Sequence, residues 1–336
     1  MTKWSLAYQI LRAFVRFIFK RFYKKVASIG HENIPIHKPI LFAANHQNAL
    51  IDPLAIIFTN PNQSVFLTRA DVFNNPILQK IFTFLKMLPV YRIRDGADSL
   101  KNNERIFNQS VEILEASMSV ALFPEAAHTD KRHLMPLKKA VPRIAFMSEE
   151  KNDFKLDLHI VPVGIYYENY EQSNSTLFVN YGKPLLLKKY EELYKSNNQK
   201  GFQALKEDLE NAIIPLIIHV KDMEHYPFYE SIRLFFRERM RQALQLKNDS
   251  PKNNFIADQQ TIEKLDQHFQ NTNEHIETLE QAFNALETKA KKLDIDLFRH
   301  KSLNLFRLIL LLLVFLTGLP VFIYALINNY LYYALS

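Results

Sequence analysis

The segment Phe42-Ala43-Ala44-Asn45-His46-Gln47-Asn48-Ala49-Leu50-Ile51-Asp52-Pro53 puts a histidine just after an apolar run and an aspartate six positions later. An imidazole titrates near neutrality, so it can accept the proton of a hydroxyl while that oxygen forms a new bond. A carboxylate on the other ring nitrogen would hold the tautomer and stabilise the imidazolium. On one continuous helix the two side chains would point about 120° apart, so they meet only if His46 lies in a turn. The same residues also allow a purely structural use, with Asp52 as a helix N-cap and Pro53 at the first helical position. A histidine and an aspartate at this spacing do not by themselves single out catalysis.

Three more segments carry groups suited to a site. Leu88-Pro89-Val90-Tyr91-Arg92-Ile93-Arg94 offers two guanidinium groups, able to grip a phosphate bidentately or to sit solvated on an edge strand. Phe123-Pro124-Glu125 closes the apolar run Val120–Phe123 and sets an acid at a strand end, where α/β sites gather; its alternative is a solvated turn carboxylate. Ile160-Val161-Pro162-Val163 reads as a strand with proline near its start, which ordinarily marks an edge. Lys131, Arg132, Lys138, Lys139 and Arg143 form a basic cluster after Glu125. It could guide a ligand's phosphates or anionic headgroups, but a solvated face is the preferred reading. Cysteine is absent, which excludes disulfides, Cys-type zinc sites and a thiol nucleophile, and no metal site is expected.

The elements around these residues alternate. Ile40–Ala44, Val120–Phe123, Ile160–Ile165 and Leu177–Val179 are short apolar runs of buried-strand type, while 76–86 and 102–116 carry apolar residues at helical spacing. That order predicts an α/β core. Residues 201–247 read as helices with a break near Pro227, and 257–298 as a helix pair with a near-heptad stripe from Ile262 to Leu286. The polar stretch 247–254 is the candidate boundary between them.

The ends differ from the middle. Residues 1–25 hold seven cations and no acid, which equals the whole net charge of +7. These cations alternate with Trp4, Leu6, Ile10, Phe14, Phe17, Phe19 and other apolar residues, a pattern suited to an anionic membrane interface or to a helix packed on the domain. Its aliphatic content argues against nucleic acid as the partner. Residues 308–336 contain no charge, and 308–327 is long enough for a membrane helix. Gly318 and Pro320 leave a kinked span or a re-entrant hairpin open. Lys289, Lys291, Lys292, Arg299, Lys301 and Arg307 precede this stretch and no cation follows it, so the positive-inside rule predicts a membrane protein whose preceding domain faces the cytoplasm.

Taken in order, the four segments resemble the glycerolipid acyltransferase family that includes glycerol-3-phosphate and lysophosphatidate acyltransferases. Asn45, His46 and Asp52 match the family's first block, Leu88 to Arg92 the second, Phe123 to Glu125 the third, and Val161 to Val163 the fourth. Ile29-Gly30-His31-Glu32-Asn33-Ile34-Pro35 and Tyr181-Gly182-Lys183-Pro184-Leu185 are also similar, so the likeness covers roughly 26–190. There are departures. Five residues separate His46 from Asp52 where four are usual, Ala126 stands where glycine is usual, and Lys86 replaces the usual glycine before the second block.

The resemblance implies an α/β fold with a mixed or largely parallel sheet flanked by helices; the helical C-terminal extension and the terminal membrane segment are read from the residues themselves and lie outside it. The implied divisions are 1–25 at the membrane interface, 26–200 as catalytic core, 201–304 as helical extension and 305–336 as the membrane segment. His46 would be the base toward an acceptor hydroxyl and Asp52 would orient it. Arg92, aided by Arg94, would hold the acceptor phosphate, and Asn45 and Glu125 would complete the substrate contacts. The donor would be acyl-coenzyme A or acyl-carrier protein, used as a co-substrate with no bound cofactor, and membrane lipids would be the partners. Two other readings stand beside it: a non-catalytic membrane adaptor with a decayed core, and an acyltransferase for a non-glycerol aminolipid.

Overall fold

The computed structural model describes residues 5–60, 63–91, 99–170, 175–271, 275–295, 297, 318–320 and 323. The chain forms two compact units, Met1–Ile276 and Glu277–Ser336.

In the first unit, β1 (Lys25–Ile29), β2 (Ile40–Ala44), β3 (Ser64–Arg69), β4 (Met87–Val90), β5 (Ser119–Leu122), β6 (His159–Tyr167), β7 (Thr176–Tyr181) and β8 (Leu185–Leu186) build one sheet. Its order is β1-β7-β6-β2-β5-β3-β4, with β8 beside β6. β2 pairs in parallel with β5 on one side and β6 on the other. Among the described residues only the β6–β7 and β6–β8 pairings are antiparallel. The sheet is therefore mixed but mainly parallel.

All five residues of β2 are buried, because consecutive side chains point to opposite faces and both faces are covered. Leu41 and Ala43 join the core with Leu114 and Ile144 from α4 (Ser99–Glu115) and α5 (Ala140–Lys151), and Leu209 from α7 (Asn198–Ile213). Ile40, Phe42 and Ala44 face the other core, with Phe19 of α1 (Leu6–Phe22) and Ile56 of α2 (Ile51–Thr59). Pro162 lies within central β6, not at an edge, and pairs with Ala43. Gly164 of the same strand has Leu216 O 2.0 Å from where a Cβ would stand, so only glycine lets the segment 214–216 cross there.

α1 is two-faced. Tyr8 and Phe19 are buried, Tyr8 against Phe84 of α3 (Pro76–Phe84) at 6.3 Å and Phe19 against Phe58 at 5.0 Å between ring centroids. Arg12 Nη2 donates to the carbonyls of Ile57 and Asn60 at 2.6 and 2.8 Å, satisfying the C-terminal end of α2. The opposite face leaves Leu6, Ile10, Phe14, Phe17, Ile18 and Phe22 exposed, and α3 adds Ile77, Leu78, Ile81 and Phe84.

The short α6 (Glu191–Ser196) precedes α7, and the helical stretch after residue 200 continues through α8 (Tyr226–Ala243) and α9 (Pro251–Asn271). Pro227 sits in the first turn of α8 and starts that helix; the break in helical structure covers the residues before it. The stretch 247–254 lies within the first unit: 247–250 complete the link from α8 to α9, and 251–254 form the first turn of α9. α10 (Ile276–Lys292) belongs, after its first residue, to the second unit. Among the described residues no helix is long and apolar enough to cross a membrane. The expected spanning segment 308–327 lies outside the described residues except for helical Gly318, Leu319, Pro320 and Ile323.

Candidate active site

Three parallel neighbours, β2, β5 and β6, end on the same side of the sheet, and the sequence after each supplies the site. β2 runs into Asn45 and His46, β5 into Phe123 and Glu125, and β6 ends at Tyr167. His46 occupies a turn between β2 and α2, so its ring can fold back toward the helix. Its Nδ1–H donates to Asp52 Oδ2 at 2.8 Å. The same oxygen accepts the backbone N–H groups of Gln47 and Asn48, each at 2.7 Å. Tyr167 O–H donates to Asp52 Oδ1. Asp52 is fully buried, and these four donors replace the water it has lost.

Asp52 does not cap α2. It is the helix's second residue, and Asn48 Oδ1 accepts from Leu50 and Ile51 N–H at 3.2 and 3.1 Å. The residue count between His46 and Asp52, one more than usual, is absorbed here: Asn48 caps while Asp52 turns back to the imidazole. The helix start also adds a partial positive field at the Asp52 carboxylate.

The His46 ring stacks on Phe123, 4.1 Å between centroids at 15°, with His128 edge-on at 5.4 Å. Its side chain is 14% exposed. Among the described residues no hydrogen-bond partner falls on Nε2, so that nitrogen is placed to meet a ligand. An enclosed cavity of about 10 Å³ is lined by His46, Asn45, Glu125, Arg132, Ile165 and Ile217. That is room for about one water molecule, far too little for an acyl chain.

The other expected site residues fall in different places. Asn45 is buried, donates from Nδ2 to Ile165 O at 3.1 Å and accepts from Ile165 N–H at 2.7 Å. It thus continues the β2–β6 pairing one residue past the strand. Glu125 is buried too, and its two oxygens accept the N–H groups of His46 and Met135 at 2.7 and 2.8 Å. Burial pushes its carboxyl up to about 7, against the pull of those two N–H groups. Arg92 and Arg94 lie outside the described residues; Tyr91, just before them, is held by Asn103 through N–H and C=O at 2.8 and 2.6 Å.

Lys86 and Ala126, the two departures from glycine, have φ of 60° and 59°. Both backbones take the left-handed form that glycine adopts without strain. Of the basic cluster, Lys138, Lys139 and Arg143 are exposed, whereas Arg132 is buried and paired with Glu230.

Tyr167 was not anticipated as a site residue. Its signal was available, since it falls on the same strand face as Val163 and Ile165, one period beyond the expected end of β6. Burial and the nearby Asp52 charge hold its hydroxyl well above the usual phenol range, so it remains a donor. Tyr170 O–H reinforces the turn by donating to Gln47 O at 3.0 Å.

A buried carboxylate on a positioned imidazole, at the strand ends of a mainly parallel sheet, is an arrangement able to accept and return a proton. Residues 25–166 match the family model described as Acyltransferase. The chain is 23% identical over 142 residues to glycerol-3-phosphate O-acyltransferase 2 of Saccharomyces cerevisiae, covering 42% of this chain and 19% of the relative. It is 23% identical over 134 residues to an uncharacterized acyltransferase of Schizosaccharomyces pombe, 39% of this chain and 20% of that protein. The chain thus spans about a fifth of the length of these curated relatives. The crystal structure of the 1-acyl-sn-glycerophosphate (LPA) acyltransferase PlsC from Thermotoga maritima is similar at a TM-score of 0.42 and 18% identity, over 62% of this chain and 82% of that one.

Proposed function

We propose that the chain is an O-acyltransferase that moves a fatty acyl group from a thioester donor to a hydroxyl of a phosphorylated glycerolipid precursor. The observation that carries this reading is the His46–Asp52 pair, 2.8 Å apart with Asp52 fully buried, inside a segment that matches the acyltransferase family. Asp52 holds the tautomer that leaves Nε2 able to accept a proton.

In this mechanism Nε2 takes the acceptor's hydroxyl proton as the oxygen attacks the thioester carbonyl. The tetrahedral intermediate collapses with C–S cleavage, and the imidazolium returns the proton to the thiolate. Transfer is direct, since this chain offers no cysteine and His46 needs only to move a proton. Glu125 serves by holding the His46 N–H and Asn45 by tying the residue before His46 to the Ile165 backbone of β6, roles favoured over substrate contact because each side chain is taken up by backbone groups. Arg92 and Arg94 remain the candidates for the acceptor phosphate, and no bound cofactor is required.

The substrates are lipidic, and the exposed apolar faces of α1 and α3 support seating at a bilayer surface. Arg16, Lys20 and Arg21 on α1 would meet anionic headgroups. The charge-free stretch 308–336 and the cations before it support a membrane attachment with the domain on the cytoplasmic side.

The test supplies purified protein with labelled oleoyl-coenzyme A, and separately oleoyl-acyl-carrier protein, together with glycerol 3-phosphate or lysophosphatidate. The proposal expects labelled product with at least one pair and its loss in His46→Ala. No product from any pair, with the protein folded, would sink this substrate class and favour the adaptor or aminolipid reading.

A further inference from the structure

The family match ends at residue 166, yet the chain returns to the site much later. The loop 125–135 grips His46 by its main chain. Glu125 accepts from His46 N–H at 2.7 Å, His46 O accepts from Thr129 N–H at 3.3 Å, and Gln47 Nε2 donates to Lys131 O at 3.0 Å. Both backbone polar groups of His46 therefore depend on where this loop sits.

The loop is held in turn by residues 219–230. Arg132 donates its N–H to Tyr226 Oη at 3.1 Å and accepts from Val220 N–H at 2.7 Å. His133 Nδ1–H donates to Val220 O at 2.9 Å, and Leu134 N–H to His219 Nδ1 at 3.1 Å. Arg132 Nε lies 3.1 Å from Glu230 Oε2. Glu230 also accepts from Arg233 Nε and Nη2 at 3.0 and 2.7 Å. Arg233 reaches buried Asp258 of α9, which Arg237 binds at 2.7 and 2.8 Å. Gln259 of α9 donates to Pro215 O and Ile217 O at 3.1 and 3.2 Å, fixing the segment that leads into His219.

A buried ion network is a costly way to pack two helices on a sheet, since apolar residues would do so at least as well; here it is anchored on β6 as well, where Tyr166 O–H donates to Asp258 Oδ2 at 2.6 Å. It does fix geometry, and Arg132 is the loop residue through which that geometry enters the site. We propose that α8 and α9 act as a brace on the loop 125–135, with Arg132 as the positioning residue that transmits their hold to the backbone of His46. The kinetic consequence rests on His46 being the base of acyl transfer; the mechanical consequence does not.

The experiment follows amide hydrogen exchange in peptides covering 45–48 and 125–135 of the full chain, alongside steady-state kinetics. Tyr226→Phe keeps the ring and removes only the acceptor of the Arg132 N–H, so it preserves the fold; Glu230→Gln weakens the ion pair. Tyr229→Phe is the comparator, because it removes a hydroxyl bond of the same helix pair, to Asp266 at 2.9 Å, without touching the loop. The brace expects exchange in both loop peptides to rise about tenfold or more in Tyr226→Phe and Glu230→Gln, and to stay unchanged in Tyr229→Phe. It also expects kcat to fall about tenfold or more with both KM values within about twofold, and Arg132→Lys to retain more of kcat than Arg132→Met. Exchange changes confined to residues 213–271, or equal effects from Tyr229→Phe, would overturn it. If the wild-type chain transfers no acyl group, the acyl-transfer reading fails while the exchange result still decides the brace.

Discussion

Glu125→Gln keeps the shape of the side chain but leaves one oxygen for the two N–H groups, of His46 and Met135, that in the wild type have two carboxyl oxygens to meet. Losing one bond to a buried amide costs about 1–3 kcal/mol, so the variant is the less stable protein at pH 5. The carboxyl also titrates. Burial raises it from 4.5 to about 7, so between those values the native state keeps a proton that the unfolded chain has released. Stability from this group is therefore full below about pH 4.5 and is lost as pH rises through about 7, a change of up to about 3 kcal/mol. Glutamine has no such slope. His219 runs the other way, because burial holds its imidazole down at about 4, so native stability rises as pH climbs from there toward 6.5. That contribution is common to both proteins and cancels in their difference. Urea unfolding of both at pH 5, 6, 7 and 8 should show the wild-type advantage shrinking by about 2–3 kcal/mol across the series. A pH-independent gap would refute the reasoning, since it would mean that the carboxyl is already ionised at pH 5. A raised acceptor KM with no stability gap would return Glu125 to substrate binding.

Tyr167→Phe strips the donor from Asp52 Oδ1. A loss of about 1.5–3 kcal/mol in stability and a drop in kcat are expected, and unchanged melting and turnover would count against the Asp52 cage. Ala126→Gly relieves a φ of 59° and should stabilise the protein by about 0.5–1 kcal/mol in the same unfolding assay; destabilisation would show that the Ala126 methyl packs usefully. Trp4 is the single tryptophan and lies just before α1, so brominated lipids in anionic vesicles should quench it. Phe14→Asp with Phe17→Asp should abolish that quenching without lowering stability, because both side chains are exposed.

The parts of the fold legible in the sequence were those where composition and period agree. The run Ile40–Ala44 is apolar throughout because β2 is covered on both faces, and it stood out for that reason. β3 did not, since Ser64, Thr68 and Arg69 dilute its apolar centre. The interior place of Pro162 was missed because proline usually marks an edge, whereas here it continues the register beside β2. Within the site, the turn at His46 was inferred from spacing alone, but the capping role of Asn48 was not, as an Asp-Pro pair competes for it. Glu125 was read as a substrate contact and Arg132 as part of a solvated face because their partners are remote: His46 and Met135 for one, and Glu230, 98 residues further on, for the other. Local sequence carries no trace of such partners.

The central claim is that His46 and Asp52 work as one unit in proton transfer. Its most direct test is the kcat of acyl transfer in His46→Ala, Asp52→Asn and the double variant, with folding checked by circular dichroism. The account predicts large losses in both single variants and a double variant no slower than His46→Ala, because groups acting as a unit are strongly non-additive. Losses that multiply in the double variant, or a His46→Ala enzyme within about tenfold of wild type, would contradict it.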